Sequence, residues 1–216
     1  MDYYFIKRLM DIAGSILGLI ILSPIFLLTI IAVKLESLGP VFYAPTRVGR
    51  AGKLFKMYKF RSMKMYNLAG NITHADEILR LDSKLLAKYK KSGYKLTKDP
   101  RLTRIGSFLR KFSIDELPQL INVIKGEMSL VGPRAYLPEE LSEQQKVYPK
   151  TKGLVKTLLL AKPGMTGFWQ VSGRSKINFE NRIEIDAEYV RKHSLLYDLK
   201  LLLKTIPAVI QAKGAV

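Results

Sequence analysis

The first clear pattern along the chain is a missing one: no residue from Ile12 to Val33, IAGSILGLIILSPIFLLTIIAV, carries a charge. At about 1.5 Å of rise per residue this run reaches ~33 Å as a straight helix, against ~30 Å for the hydrocarbon core of a bilayer. The pattern predicts a membrane segment. A cleaved signal sequence is the rival reading because Lys7 and Arg8 precede the run, but no small-x-small cleavage site follows and Lys34 and Glu36 come next. Ser23-Pro24 interrupts the run at its midpoint. Pro24 has no N–H and crowds the carbonyl of Ile20, which the Ser23 hydroxyl is placed to serve. Two arrangements fit, a kinked helix that spans and a re-entrant hairpin with legs of ~17 Å. Basic residues on both flanks favour two ends on the cytoplasmic side, which the hairpin satisfies and the span does not.

After the Gly39-Pro40 break, Val41-Phe42-Tyr43 has strand character. Leu54–Met63 reads as one strand, rich in aromatics and preceded by Gly52. Asp76–Tyr94 is polar with leucines at helical spacing (Leu79, Leu85, Leu86), a surface helix or insertion. Asp99-Pro100 is a turn, and Ile105–Lys111 and Leu117–Lys125 follow as two helices joined at Phe112-Ser113. Phe179–His193 is a further helix. Leu195–Ala212 is amphipathic and basic, a pattern that packs on its own core or lies at a membrane interface. The expected fold is α+β and mostly helical: a membrane hairpin over residues 1–36 and one small body with short strands and amphipathic helices over 37–216.

Composition narrows the chemistry. With 36 Lys and Arg against 18 Asp and Glu, the 216-residue chain carries a net charge of +18. That excess points to an anionic partner: nucleic acid, a phospholipid surface or a phosphorylated substrate. Hydrophobic residues make up 48%, too many for a disordered basic tail. The absence of cysteine excludes disulfides, thiolate metal sites and cysteine nucleophiles, and His74 and His193 are too few for a histidine zinc site. From Ser37 to Ala75 no acid interrupts Arg47, Arg50, Lys53, Lys56, Lys59, Arg61 and Lys64.

The densest candidate site is Phe112–Leu120, FSIDELPQL. One reading is purely local: Ser113 and Glu116 have the spacing of a capping box, with Glu116 reaching back to the Ser113 N–H, and Phe112 with Leu117 that of a hydrophobic staple. The other is chemical. Arg101, Arg104, Arg110 and Lys111 precede the Asp115-Glu116 pair, and no acid separates Pro100 from Ile114. Such surroundings favour an ionised carboxylate and can hold a phosphate, so Asp115 suits a magnesium ligand or a nucleophile. Further on, Gly132-Pro133 breaks the chain just before Arg134, a fork-shaped phosphate donor or a solvated charge.

Five ordered blocks carry a resemblance. Lys59–Met63 (KFRSM), Asp99–Gly106 (DPRLTRIG), Ser113–Leu120 (SIDELPQL), Ser129–Arg134 (SLVGPR) and Lys162–Ser175 (KPGMTGFWQVSGRS) together resemble the bacterial sugar transferase family, the monotopic phosphoglycosyl transferases. The resemblance covers essentially the whole chain. It implies transfer of a sugar 1-phosphate from a nucleotide diphosphate sugar, a uridine one, to polyprenyl (undecaprenyl) phosphate, with release of UMP through a covalent aspartyl-phosphosugar intermediate. It places the catalytic and Mg²⁺-binding dyad on Asp115 and Glu116, the nucleophile on Asp115, a phosphate-binding arginine on Arg134, and the tip of the re-entrant hairpin on Ser23-Pro24. Lys59, Arg61, Arg101 and Arg174 are expected as further anion contacts from their charge and block membership. The implied location is the cytoplasmic face of the bacterial inner membrane, with membrane lipid as partner, a homodimer as an option and no nucleic acid. A membrane-tethered nucleic-acid or lipid-binding module is the rival class; it leaves the acidic pair among the cations unexplained.

Overall fold

The computed structural model describes residues 3–68, 70–94, 96, 99–172 and 177–211. It is mostly helical α+β with short strands, as the sequence leads one to expect. Two helices open the chain, α1 (Tyr3–Ile21) and α2 (Ser23–Glu36), bent by 61° at Leu22. The Ser23 hydroxyl donates to the Ile20 carbonyl at 2.8 Å, the carbonyl that Pro24 leaves without an N–H. Among the described residues no single helix is long and apolar enough to cross a membrane; this bent pair is, by length and composition. Its outer surface is apolar and uncovered, including Ile16, Leu17, Ile20, Ile21, Leu27 and Leu28.

The inner side of the hairpin is fastened to the rest of the protein. The Arg8 guanidinium donates to the carbonyls of Val123 and Ile124 at 2.6 and 2.7 Å, Lys7 pairs with Asp198 at 2.6 Å, and buried Asp11 accepts from the Ser129 hydroxyl and the Leu130 N–H. Gly14 and Gly18 let α1 lie close: a Cβ on Gly14 would stand 2.8 Å from Leu130, one on Gly18 3.3 Å from Leu120.

A series of short strands follows: β1 (Phe42–Tyr43), β2 (Thr46–Val48), β3 (Leu54–Lys56), β4 (Lys59–Phe60), β5 (Met65–Leu68) and β6 (Asn71–His74). They pair antiparallel as β1–β4, β2–β3 and β5–β6, three separate ladders rather than one sheet. The single strand expected over Leu54–Met63 is therefore two. It breaks at Met57-Tyr58 because the Tyr58 N–H turns to the Asn122 side chain at 2.9 Å and the Met57 N–H to the Pro45 carbonyl. The stretch expected as a surface helix or insertion holds two helices, α3 (Ala75–Leu81) and α4 (Ser83–Lys91). Asp82 ends the first, and its carboxylate caps the second by accepting from the Leu85 N–H.

Further along come α5 (Arg104–Lys111), a 3₁₀ turn over Ile114–Glu116, α6 (Gln119–Lys125), β7 (Ser129–Val131), α7 (Pro138–Val147), α8 (Lys152–Leu158), β8 (Gly164–Thr166), α9 (Phe168–Val171), α10 (Phe179–Lys192) and α11 (Leu195–Ile210), with other 3₁₀ turns at Arg50–Gly52 and Pro149–Thr151. β7 and β8 pair in parallel, Ser129 with Gly164 and Val131 with Thr166. This explains why the blocks around Gly132-Pro133-Arg134 and Lys162–Gly167 belong together. A Cβ on Gly164 would stand 2.0 Å from the Gly132 nitrogen and one on Gly167 2.2 Å from the Gly132 carbonyl oxygen, so the two backbones meet where only glycine fits. One core cluster joins Val131 of β7 to Tyr189, Val190 and Leu201, and another is formed by Tyr136, Leu141, Val155, Leu158, Phe179 and Ile183. On α11, Leu201 and Asp198 face inward while Leu196, Leu199, Leu203 and Ile206 are exposed.

Candidate active site

The route to the site runs from the hairpin. At the end of α2 the Glu36 carboxylate accepts from the Ile105 N–H, and the Thr103 hydroxyl accepts from the Gly106 N–H, so two of the first free N–H groups of α5 are satisfied. α5 then lies so close to Ser62 that a Cβ on Gly106 would stand 1.9 Å from its carbonyl oxygen. At the far end Ser113 takes a left-handed conformation (φ 56°) that a non-glycine residue adopts at a cost. That reversal sends Ile114–Glu116 across the mouth of β4, where Lys59 sits.

Lys59 lies between the two acids. Its ammonium is 3.3 Å from Asp115 Oδ2 and 2.8 Å from Glu116 Oε1. The Asp115 residue is 4% exposed, whereas the Glu116 side chain is 33% exposed. The capping box expected of Ser113 and Glu116 does not form. The Ser113 N–H, the expected partner of Glu116, donates instead to the Arg110 carbonyl, the Ser113 hydroxyl caps nothing, and the Glu116 carboxylate is on Lys59.

These residues line a cavity of about 240 Å³, shared with Arg47, Arg134, Trp169, Tyr89, Asp99 and Arg101, among others. Arg134 is half-buried, its guanidinium over the Trp169 ring at 4.9 Å from the centroid and over Tyr136 at 5.9 Å. Its backbone N–H donates to Asp186 Oδ2 at 3.1 Å, and the Tyr136 hydroxyl donates to the same oxygen at 2.9 Å. Asp186 is fully buried, and burial pushes its carboxyl up to about 7 against the opposing pull of those two donors and of Arg182. It is a support beneath the Arg134 turn. A raised folded-state pKa means that folding favours the protonated form, so the stability contributed at acid pH is lost as pH rises through about 7. The melting temperature of the wild type should therefore fall relative to that of Asp186→Asn between pH ~4 and ~7 and hold steady above. A difference that stays constant with pH would contradict this role.

The other expected contacts divide. Arg101 reaches the cavity but its guanidinium is engaged, on both oxygens of Asp99 at 2.8 and 2.7 Å and on Asp76 at 2.8 Å. Asp99 sits below its usual range because these bonds outweigh its burial. Arg61 does not serve the cavity. It is 2% exposed, and it donates to the carbonyls of Val33, Ser37 and Leu38, so the expectation of an anion contact gives way to a cap on the end of α2. Arg174 lies outside the described residues. Among the described residues no group of three or more Asp, Glu or His side chains converges to hold a metal. The two carboxylates are the kind of donor that Mg²⁺ takes, with water and phosphate oxygens completing its shell, and the Lys59 ammonium now between them would have to give way to it.

Three further positions at the candidate site carry no distinct mark of it in the sequence. Arg47, only one of a run of cations in the sequence, lines the cavity; Asp186 carries the Arg134 turn; and α4, expected as part of a surface insertion, lends Tyr89 to the wall. An Arg182–Asp186 pair at helical spacing is the one available signal for Asp186, and it reads equally well as a surface ion pair.

Residues 2–212 match the family described as bacterial sugar transferase. The chain is 44% identical over 211 residues to the undecaprenyl-phosphate galactose phosphotransferase of Salmonella typhimurium, covering 98% of this chain and 42% of that protein. It is 43% identical over 211 residues to the UDP-galactose-lipid carrier transferase of Erwinia amylovora, again covering 98% of this chain and 42% of the relative. The exopolysaccharide production protein ExoY of Sinorhizobium fredii is 42% identical over 212 residues, with 97% of this chain and 87% of that protein covered. The chain thus spans about two-fifths of the length of the first two and most of the third. With its whole described body inside the match, the chain belongs to the bacterial sugar transferase family.

Proposed function

We propose that this chain transfers a sugar 1-phosphate from a uridine diphosphate sugar to undecaprenyl phosphate, releasing UMP, as the first membrane-linked step of polysaccharide assembly. The observation that carries it is the buried Asp115 with Glu116 and Lys59 in one cavity with Arg134, in a chain whose relatives are named for undecaprenyl phosphate and UDP-galactose. An Asp115 oxygen attacks the sugar-bearing phosphorus, and the bond from that phosphorus to the bridging oxygen breaks, so that UMP leaves with the oxygen. An oxygen of undecaprenyl phosphate then attacks the same phosphorus, the acyl phosphate bond breaks, and the carboxylate is restored as the lipid diphosphate sugar departs. Arg134 holds phosphate oxygens in its fork, and Lys59 keeps the two acids together before the donor arrives. Asp115 and Glu116 would hold Mg²⁺, which when bound neutralises charge on the diphosphate oxygens.

The hairpin is read as re-entrant, with both ends on the cytoplasmic face of the inner membrane, and α11 as interfacial. The Ser23-Pro24 bend, the uncovered apolar surface and the basic flanks support this. In this cysteine-free chain, Asp2→Cys and Ser37→Cys should both resist an impermeant thiol reagent added outside intact cells. Labelling of Asp2→Cys alone would make the segment a span. The reaction itself is tested by a panel of UDP-sugars with undecaprenyl phosphate. UMP release that requires one particular sugar supports it, whereas salt-sensitive DNA retention without turnover would favour the binding-module reading.

A further inference from the structure

We infer that Arg47 is a second arginine of the donor site, and that with Arg134 it clasps the diphosphate of the nucleotide sugar. The inference rests on the reaction proposed above and adds a residue to it. Arg47 lies in the middle of β2, opposite Phe55, and lines the same cavity as Arg134 and Asp115. The two arginines are brought together by the backbone, because the Val48 N–H donates to the Tyr136 carbonyl at 3.0 Å, two residues beyond Arg134.

The charges there are out of balance. Nε and Nη1 of Arg47 and Nε of Arg134 are out of contact with solvent and have no hydrogen-bond partner among the described residues. Burial first, and the like charge of Arg134 second, make the position hostile to the Arg47 cation. Of the nearby acids, Asp76 and Asp99 pair with Arg101, and Asp115 and Glu116 with Lys59; Glu140, whose charge favours the Arg47 cation, bonds Arg182 through Oε1 at 3.1 Å, while its Oε2 and Asp186 Oδ1 are buried without a hydrogen-bond partner among the described residues. A guanidinium with desolvated, unpaired N–H groups is costly, and the like charge of a second arginine adds to the cost. Arg101 shows the alternative within the same cavity, a guanidinium fully used by carboxylates. What Arg47 and Arg134 lack is an anion with oxygens enough for two forks, which a diphosphate supplies and a single carboxylate does not.

The test is titration calorimetry of wild type and Arg47→Gln with UDP and with uridine, alongside ligand-free melting temperatures. UDP affinity should fall about tenfold or more in Arg47→Gln, uridine affinity should stay within about twofold, and Arg47→Lys should recover part of the loss. The ligand-free variant should melt no lower than wild type, since an unpaired buried charge has been removed. Unchanged UDP affinity, an equal loss for uridine, or a clearly lower melting temperature would each overturn the inference and make Arg47 structural. If wild type turns over a UDP-sugar while Arg47→Gln binds UDP normally, this inference fails and the proposed reaction stands. If wild type neither binds UDP nor turns over any UDP-sugar, both fail.

Discussion

Asp115→Asn is expected to lower turnover at least ~10³-fold while leaving the protein folded. The substitution keeps the shape of the side chain and an oxygen to accept from Lys59, but it removes the anionic oxygen that is to bond to phosphorus. Burial sharpens the effect. Asp115 is 4% exposed and held by the turn that follows Ser113, which fixes where its carboxylate oxygens stand. Glu116→Gln is expected to do less. Its carboxylate is more exposed and shares Lys59, which fits support of a metal and of the first acid rather than attack. Near-wild-type turnover of purified Asp115→Asn in the UMP-release assay would remove Asp115 from the chemistry.

The second large effect belongs to Arg134. Arg134→Ala should reduce turnover by about 10²–10³-fold, the size of loss that follows removal of one preorganised donor from a developing charge. Arg134→Lys should recover only part, because an ammonium keeps the charge but not the fork, and loses the flat contact with Trp169. Folding should hardly change, since the turn is secured by the Arg134 backbone N–H on Asp186 and by the close glycine contact between Gly132 and Gly164, neither of which uses the side chain. Steady-state kinetics with varied donor concentration checks this; an Arg134→Ala enzyme with wild-type turnover at all concentrations would end the assignment.

Much of the architecture is legible in the order of residues. The uncharged run with Ser23-Pro24 at its centre becomes a bent helix pair with the Ser23 hydroxyl on Ile20, because a proline break inside an apolar helix has few solutions. Helices α5, α6 and α10 fall within two residues or so of their expected bounds, since each has an apolar face at helical spacing. The features that depart from expectation depend on partners that the local pattern does not announce. The Leu54–Met63 strand breaks because Asn122, more than sixty residues away, takes the Tyr58 N–H. The Ser113–Glu116 capping box is lost to Arg110 and Lys59. In the candidate site, Asp115, Glu116 and Arg134 are legible through their motifs, whereas Arg61 carries the same charge and block membership but is used to cap α2. Charge in a basic stretch marks an anionic partner without saying which cation meets it, and only burial and geometry separate Arg47 from Arg61.

The central claim is a covalent phosphosugar on Asp115. It is tested most directly by mixing the purified protein with its UDP-sugar in the absence of lipid acceptor, then mapping the modified peptide by mass spectrometry. One phosphosugar per chain is expected, located on Asp115, formed with release of one UMP and lost on addition of undecaprenyl phosphate. An adduct on Glu116, or turnover in an enzyme that never carries an adduct, would contradict it.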